Sequence, residues 1–184
     1  MNQLTYQKRI ILILFAAALV FALSGCKKQA PPPEEKQEET PIAGEEALLI
    51  EPGVGVGPIK FGMTKEEVIK SFGEPDKIEG GGAGLNYVSS KGISFLVHPA
   101  RGVRAIDCWS KEYPFPFAAI STFIGKTKEG IGMGASREQI EAAYGRPDQV
   151  TTQGPLTTLR YNKLQMHFML MQGKLVSIKM ESPK

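Results

Sequence analysis

The chain has 184 residues, 42% of them hydrophobic and 22% charged, and a formal charge of +3, so it has the material for a packed domain. That small excess of charge argues against a nucleic-acid-binding surface. Two cysteines, Cys26 and Cys108, exclude a fold held by several disulfides.

Residues 1–25 read as a secretory signal. Lys8 and Arg9 precede an almost unbroken apolar run from Ile10 to Leu23. A membrane span needs about 20 apolar residues, so this run suits a signal h-region better. It ends in "LSGC", which resembles the bacterial lipobox. The resemblance implies cleavage before Cys26 and acylation of that cysteine. Several acyl chains, at about 0.8 kcal/mol per buried methylene, give stable anchoring. Cys108 is then left without a partner for a disulfide. Loss of the signal also lowers the formal charge from +3 to +1, by removing Lys8 and Arg9.

Cys26 opens a segment, 26–47, that is rich in Pro, Glu and Gln. From residue 27 it carries three lysines against six glutamates. So little apolar surface cannot offset the entropy of ordering, which predicts a disordered tether between membrane and domain. Residues 48–184 carry 17 basic and 13 acidic side chains, an ordinary folded-domain surface.

The folded part contains an internal match at an offset of 72. "FGMTKEEVIKSFGEPD" at 61–76 corresponds to "MGASREQIEAAYGRPD" at 133–148. Ile59 and Ile131 precede the two copies, and Ile106 and Ile178 follow in register. In each copy a capping box starts a helix: Thr64 with Glu67, and Ser136 with Gln139. Val68 and Phe72, like Ile140 and Tyr144, form one apolar stripe. Gly73 and Gly145 suit a left-handed position after the last turn, and Pro75 and Pro147 stop the helix. Helices of about nine or ten residues are marginal alone and must be held by packing.

The packing partner is predicted to be a sheet. Leu85 with Tyr87, Ile93/Phe95/Val97 and Ile106/Cys108 mark three strands after the first helix. Leu159 with Tyr161, Met166/Phe168/Leu170 and Val176/Ile178/Met180 mark three after the second. "QGK" at 172–174 and "PARG" at 99–102 are turns. The expected architecture is α+β, a tandem repeat of a strand–short helix–three-stranded antiparallel meander unit. The first unit covers 48–112; a connector and the second unit cover 113–184. The motif and the meander together resemble the SmpA/OmlA family of small outer-membrane lipoproteins, which includes BamE. Two units in tandem are similar in layout to the β-lactamase inhibitor protein fold. The resemblance implies a binding role and no catalytic residues.

Candidate sites follow from residue chemistry. Trp109, Tyr113, Phe115 and Phe117 cluster around two prolines and are the candidates for partner binding; as a connector, they would instead seal the joint between units. Met166, His167, Met169 and Met171 offer soft ligands for Cu(I), although strand alternation sends Met166 to the opposite face; core filling is the competing reading. Cys108 shares the parity of inward Ile106 and is expected to be a buried, inert thiol. The glycine runs at 53–57 and 80–84 lack phosphate-loop spacing. Neither His98 nor His167 falls at the other's position under the offset, so no catalytic set emerges and no cofactor is expected.

The sequence thus reads as a lipid-anchored, non-catalytic envelope protein with a protein partner. The alternatives are an inhibitor-like module inserting the 80–84 loop or its counterpart at 152–156 into an enzyme cleft, and a metal-binding or enzymatic protein centred on a histidine. Lys27, rather than Asp, after Cys26 implies the periplasmic face of an outer membrane in a two-membrane bacterium, and the plasma membrane's outer face otherwise.

Overall fold

Alternation of buried and more exposed residues marks the strands of the domain most clearly at 84–87, 93–98 and 166–171. A computed structural model of the chain describes residues 48–114 and 120–183. The signal, Cys26, the tether, Phe115 and Phe117 lie outside the described residues. In chain order the elements are β1 (Leu49–Glu51), β2 (Gly55–Val56), β3 (Ile59–Lys60), α1 (Lys65–Phe72), β4 (Lys77–Glu79), a 3₁₀ turn (Gly80–Gly82) and β5 (Gly84–Tyr87). There follow α2 (Val88–Lys91), β6 (Ile93–His98), β7 (Gly102–Trp109), β8 (Lys126–Thr127), α3 (Arg137–Tyr144), β9 (Gln149–Gln153), β10 (Leu156–Tyr161), β11 (Met166–Met171) and β12 (Lys174–Glu181).

The fold is mixed α+β with two sheets. The larger is an eight-stranded antiparallel sheet in the order β4-β5-β6-β7-β12-β11-β10-β9. The smaller is β3-β2-β1-β8, in which β1 runs parallel to β8. Four strands, not three, follow each eight-residue helix. The added strands are β4 and β9, the two sheet edges. Every residue in both is exposed, so neither carries the alternation by which a half-buried strand is recognised. The leading strand expected near Ile131 instead lies at β8; Ile131 is buried after the following turn, its carbonyl accepting from the Thr127 N–H.

α1 and α3 start as their sequences require. The Thr64 and Ser136 hydroxyls accept from the third helical N–H, and Glu67 and Gln139 bond back to the cap N–H. Their ends depart from expectation. Gly73 (φ 88°, ψ −178°) and Gly145 (φ 77°, ψ −164°) are not left-handed helical. They occupy a region nearly reserved for glycine that sends the chain straight out toward the sheet edge. Asp76 and Asp148, just beyond, accept the backbone N–H groups of Ser90 and Asn162 at 2.9 and 2.6 Å.

One face of the large sheet buries the core. Phe72, Tyr87 and Phe95 meet edge to face with centroids 5.1–5.7 Å apart. Tyr144, Tyr161 and Phe168 form a second cluster at 5.6–5.9 Å. The Tyr87 hydroxyl donates to the Gly73 carbonyl at 2.6 Å, and that of Tyr161 to Gly145 at 3.0 Å. Burial pushes the Tyr87 phenol up to about 12, with Glu74 and Asp76 adding to the effect, and raises Tyr161 as well. A single buried cluster runs from Ile50, Val56 and Ile59 of the small sheet through both aromatic groups.

Candidate functional site

Alternation that turns Phe95, Ile106, Phe168 and Ile178 into the core turns their neighbours onto the opposite face. Strand register then aligns these neighbours. Lys77 pairs with Asn86, Asn86 with Ser94, Ser94 with Asp107, and Asp107 with Lys179. Lys179 pairs with His167, His167 with Arg160, and Arg160 with Gln149. One polar residue from each of the eight strands thus forms a continuous row across the sheet. A second row runs Trp109, Ser177, Met169, Thr158, Thr151. Both eight-residue helices pack on the other face, through Val68, Phe72 and Ile140.

Two shallow depressions lie on this open face. One, of about 280 Å³, is bounded by Asn86, Ser94, Leu96, Asp107, Trp109 and Lys179. The other, of about 230 Å³, is bounded by Gln149, Thr151, Thr158, Arg160 and Met169. Leu96 is 51% exposed in mid-strand, beside the first.

The electrostatics differ along the row. Lys77 and Lys179 are each tied to a glutamate, Glu79 at 2.7 Å and Glu181 at 3.5 Å. Asp107 is half-buried between the halves. Burial pushes its carboxyl up to about 6, against the pull of Lys179 and with a further push from Glu181. His167 is held below its usual range, first by burial and then by Arg160. Charged groups of both signs, Asp107, Lys179 and Glu181, meet at the centre of the face, and Arg160 makes no salt bridge with a described residue.

The sequence candidates are distributed unevenly. Trp109 lies on the open face and meets Tyr113 edge to face at 4.5 Å. Tyr113 is only 7% exposed, so it backs Trp109 and does not extend an exposed aromatic patch. Phe115 and Phe117 are outside the described residues. Met166 is fully buried on the core face, while His167, Met169 and Met171 share the open face at intervals of about 7 Å along β11. The four soft donors are thus not brought together. Cys108 is fully buried; burial, with Asp107 nearby, pushes its thiol well above the usual range. His98 is exposed at the end of β6, where Nδ1 accepts the Ala100 N–H at 3.1 Å and shapes the turn. Residues 80–82 form a 3₁₀ turn. The supposed counterpart loop at 152–156 is mostly strand, with Gly154 and Pro155 as a tight turn between β9 and β10. Among the described residues no helix is long and apolar enough to cross a membrane.

The open-face row itself was missed by reading the sequence. Its members are recognisable strand by strand as the polar partners of core residues. Their alignment depends on β7 pairing with β12, a contact between distant segments that local periodicity does not encode.

No family model and no curated protein matches the chain. Two solved structures are similar to it. One is a DUF4309 family protein, YjgB, from Bacillus subtilis, at 16% identity and a TM-score of 0.45, covering 65% of this chain and 78% of that one. The other is an extracellular protein containing a SCP domain from Bacillus anthracis, at 13% identity and a TM-score of 0.39; the match covers 66% of this chain and 43% of that protein.

Proposed function

We propose that the chain is a lipid-anchored envelope protein, held by acylated Cys26, that binds a protein partner on its open sheet face and performs no chemistry of its own. We further infer that the domain is a duplicated module of the SmpA/OmlA type. Supporting the duplication are two capping boxes, two tyrosine hydroxyls on helix-ending glycines, and two aspartates holding backbone N–H groups. Asp107 and Lys179, counterparts under the offset of 72, are also direct register partners at the sheet's centre.

The observation that carries the binding reading is the row of open side chains spanning all eight strands. Its neighbourhood offers Trp109, Met169 and Arg160, residue types enriched at protein interfaces, beside exposed Leu96. Arg160, without a salt bridge to a described residue, favours an acidic element on the partner. The tether would let the domain reach that partner from the membrane.

Photo-crosslinking residues placed at Leu96 and Thr158, in intact cells carrying the full chain, test this. Discrete protein adducts are expected from both positions, and none from exposed Lys70 and Arg137 on the helices. Adducts only from the helix positions, or none at all, would refute the assignment. The Cys26→Ala chain should lose membrane fractionation and the adducts together.

A further inference from the structure

The two edges of the large sheet are not alike. β4 has three residues, two of them charged and joined by the Lys77–Glu79 ion pair, and it runs straight into the 3₁₀ turn. Short length and charge are the usual protections of a sheet edge against pairing with another chain. β9, "QVTTQ", has five residues, all exposed. It carries no charge, proline or glycine, and three of its residues are β-branched. Along its outer side no described strand pairs with it. Alternate N–H and C=O groups there form a template for another strand.

The sequence of β9 also selects the occupant. It is nearly palindromic about Thr151. In an antiparallel pairing with itself, Gln149 faces Gln153, Val150 faces Thr152, and Thr151 faces its own copy. Amide meets amide, β-branched meets β-branched, and no like charges are opposed. Within the chain, Thr152 and Thr157 already pair across β9 and β10 with hydroxyls 3.3 Å apart. We propose that β9 is a docking site for a second copy of this chain, related by a two-fold axis through Thr151. The ladder is bounded by Asp148, whose carboxylate is committed to the Asn162 N–H, and by the Gly154–Pro155 turn. Such an axis is perpendicular to the sheet, so both open faces point the same way and form one continuous surface. Five residues per strand make a small contact, favoured where chains are concentrated on one surface.

The register makes the test sharp. Residues directly opposed in an antiparallel pair have Cα atoms about 4.5–5.5 Å apart, within the range a disulfide bridges. The full chain carrying Thr151→Cys, oxidised in intact membranes, is expected to give a disulfide dimer. Val150→Cys or Thr152→Cys alone should give little, but the two variants co-expressed should cross-link to each other. Ile78→Cys on β4 should give no dimer. Thr151→Lys, which opposes two cations at the axis, should return the full chain in detergent from dimer to monomer mass by light scattering. Absence of the Thr151→Cys dimer, equal dimer from every position, or β9 cysteines captured only by other proteins would overturn the proposal. Exposed Thr151 tolerates these changes without loss of the fold. Thr158 is the register partner of Thr151, so the open-face reading is separated from this one at Leu96, on β6 far from β9. A Leu96 adduct with another protein can persist without the Thr151→Cys dimer, and either reading can fail alone.

Discussion

The half of the sheet formed by β4–β7 and the half formed by β9–β12 are held by nearly the same contacts and present different surfaces. Gly62 donates to Val103 and Val103 to Met63 in the first; Gly134 donates to Leu175 and Leu175 to Ala135 in the second. Each half has a helix capped by a hydroxyl, ended by glycine and latched by a tyrosine. Even the sheet irregularities correspond, after Leu96 in β6 and after Met169 in β11. On the open face and at the edges the agreement stops. The first half carries the depression with Trp109 and Asp107 and a guarded edge; the second carries Arg160, Met169 and a bare one. Sequence shared between the halves specifies how strands and helices attach, and the differences are concentrated where another molecule can touch.

The sharpest asymmetry inside the matched framework is at the start of the central strands. Gly102 opens β7 with φ 64°, and a Cβ there would lie 2.0 Å from the Gly62 carbonyl oxygen. Its counterpart under the offset, Lys174, opens β12 after a two-residue turn, Gln172–Gly173, whose φ values of 50° and 78° match the twist of a tight hairpin. Gly102→Ala must displace the lead-in to α1 and adopt a disfavoured backbone. It should cost about 3 kcal/mol or more, against about 0.5 kcal/mol or less for Lys174→Ala. Urea denaturation of the two variants measures both; equal costs would mean that the two strand starts are not built differently.

The next effect separates the halves by pH. Asp107 titrates near 6 in the folded chain, against an ordinary value of 3.8. Between these values the unfolded state releases its proton first, so this residue lowers stability as pH rises from about 4 to about 6, and the deficit persists above. A shift of this size corresponds to roughly 2–3 kcal/mol. Asp107→Asn should therefore gain stability at pH 7 and little at pH 4, with Lys179, Glu181 and Tyr113 left in place around it. Unfolding midpoints across that range check the sign; a gain independent of pH would contradict the burial of a charged carboxylate as its source.

Capping boxes, the positions of the glycine–proline stops and the alternation of β5–β7 and β10–β12 were legible in the sequence, because each is a local rule written in neighbouring residues; the left-handed helical form expected of Gly73 and Gly145 is not what they adopt. The burial of Cys108 followed from its parity with Ile106. β4 and β9 were not legible, since strands exposed on both sides have no hydrophobic period. The two-residue strands of the small sheet are too short to carry one. Density of aromatics at 109–117 left two readings open, a partner-binding patch and a sealed joint, because composition does not say which way a ring faces; Tyr113 turns in against Trp109. The open face required knowing that β7 lies beside β12, so its residues were visible singly and not as a row.

The tyrosine latches predict a smaller and symmetrical pair of effects. Tyr87→Phe and Tyr161→Phe each remove one hydrogen bond to the carbonyl of the helix-ending glycine while keeping the ring in its aromatic cluster. Each should cost about 1 kcal/mol. Thermal unfolding of the single and double variants should give nearly additive losses, because the latches sit on separate helices. A large loss from one and none from the other would mean that only one half depends on its latch.

The smallest effect tests a contact that only the first half has. Lys91 reaches back to the Phe72 carbonyl at 2.6 Å and places its ammonium 4.1 Å from the centre of the Phe72 ring. It thereby serves a C-terminal carbonyl of α1 and the negative face of an aromatic core residue with one charge. Lys163, the counterpart under the offset, makes neither contact among the described residues. Lys91→Met keeps the stem over the ring and removes the charge, so its loss of about 0.5–1 kcal/mol isolates the ammonium. Lys163→Met should change stability by less than about 0.5 kcal/mol. Thermal unfolding at low and high salt distinguishes the two. The Lys91 effect should shrink only modestly with salt, because a hydrogen bond at 2.6 Å is screened less than a distant charge. An equal effect at Lys163 would show that the helix ends of the two halves are stabilised alike by general charge.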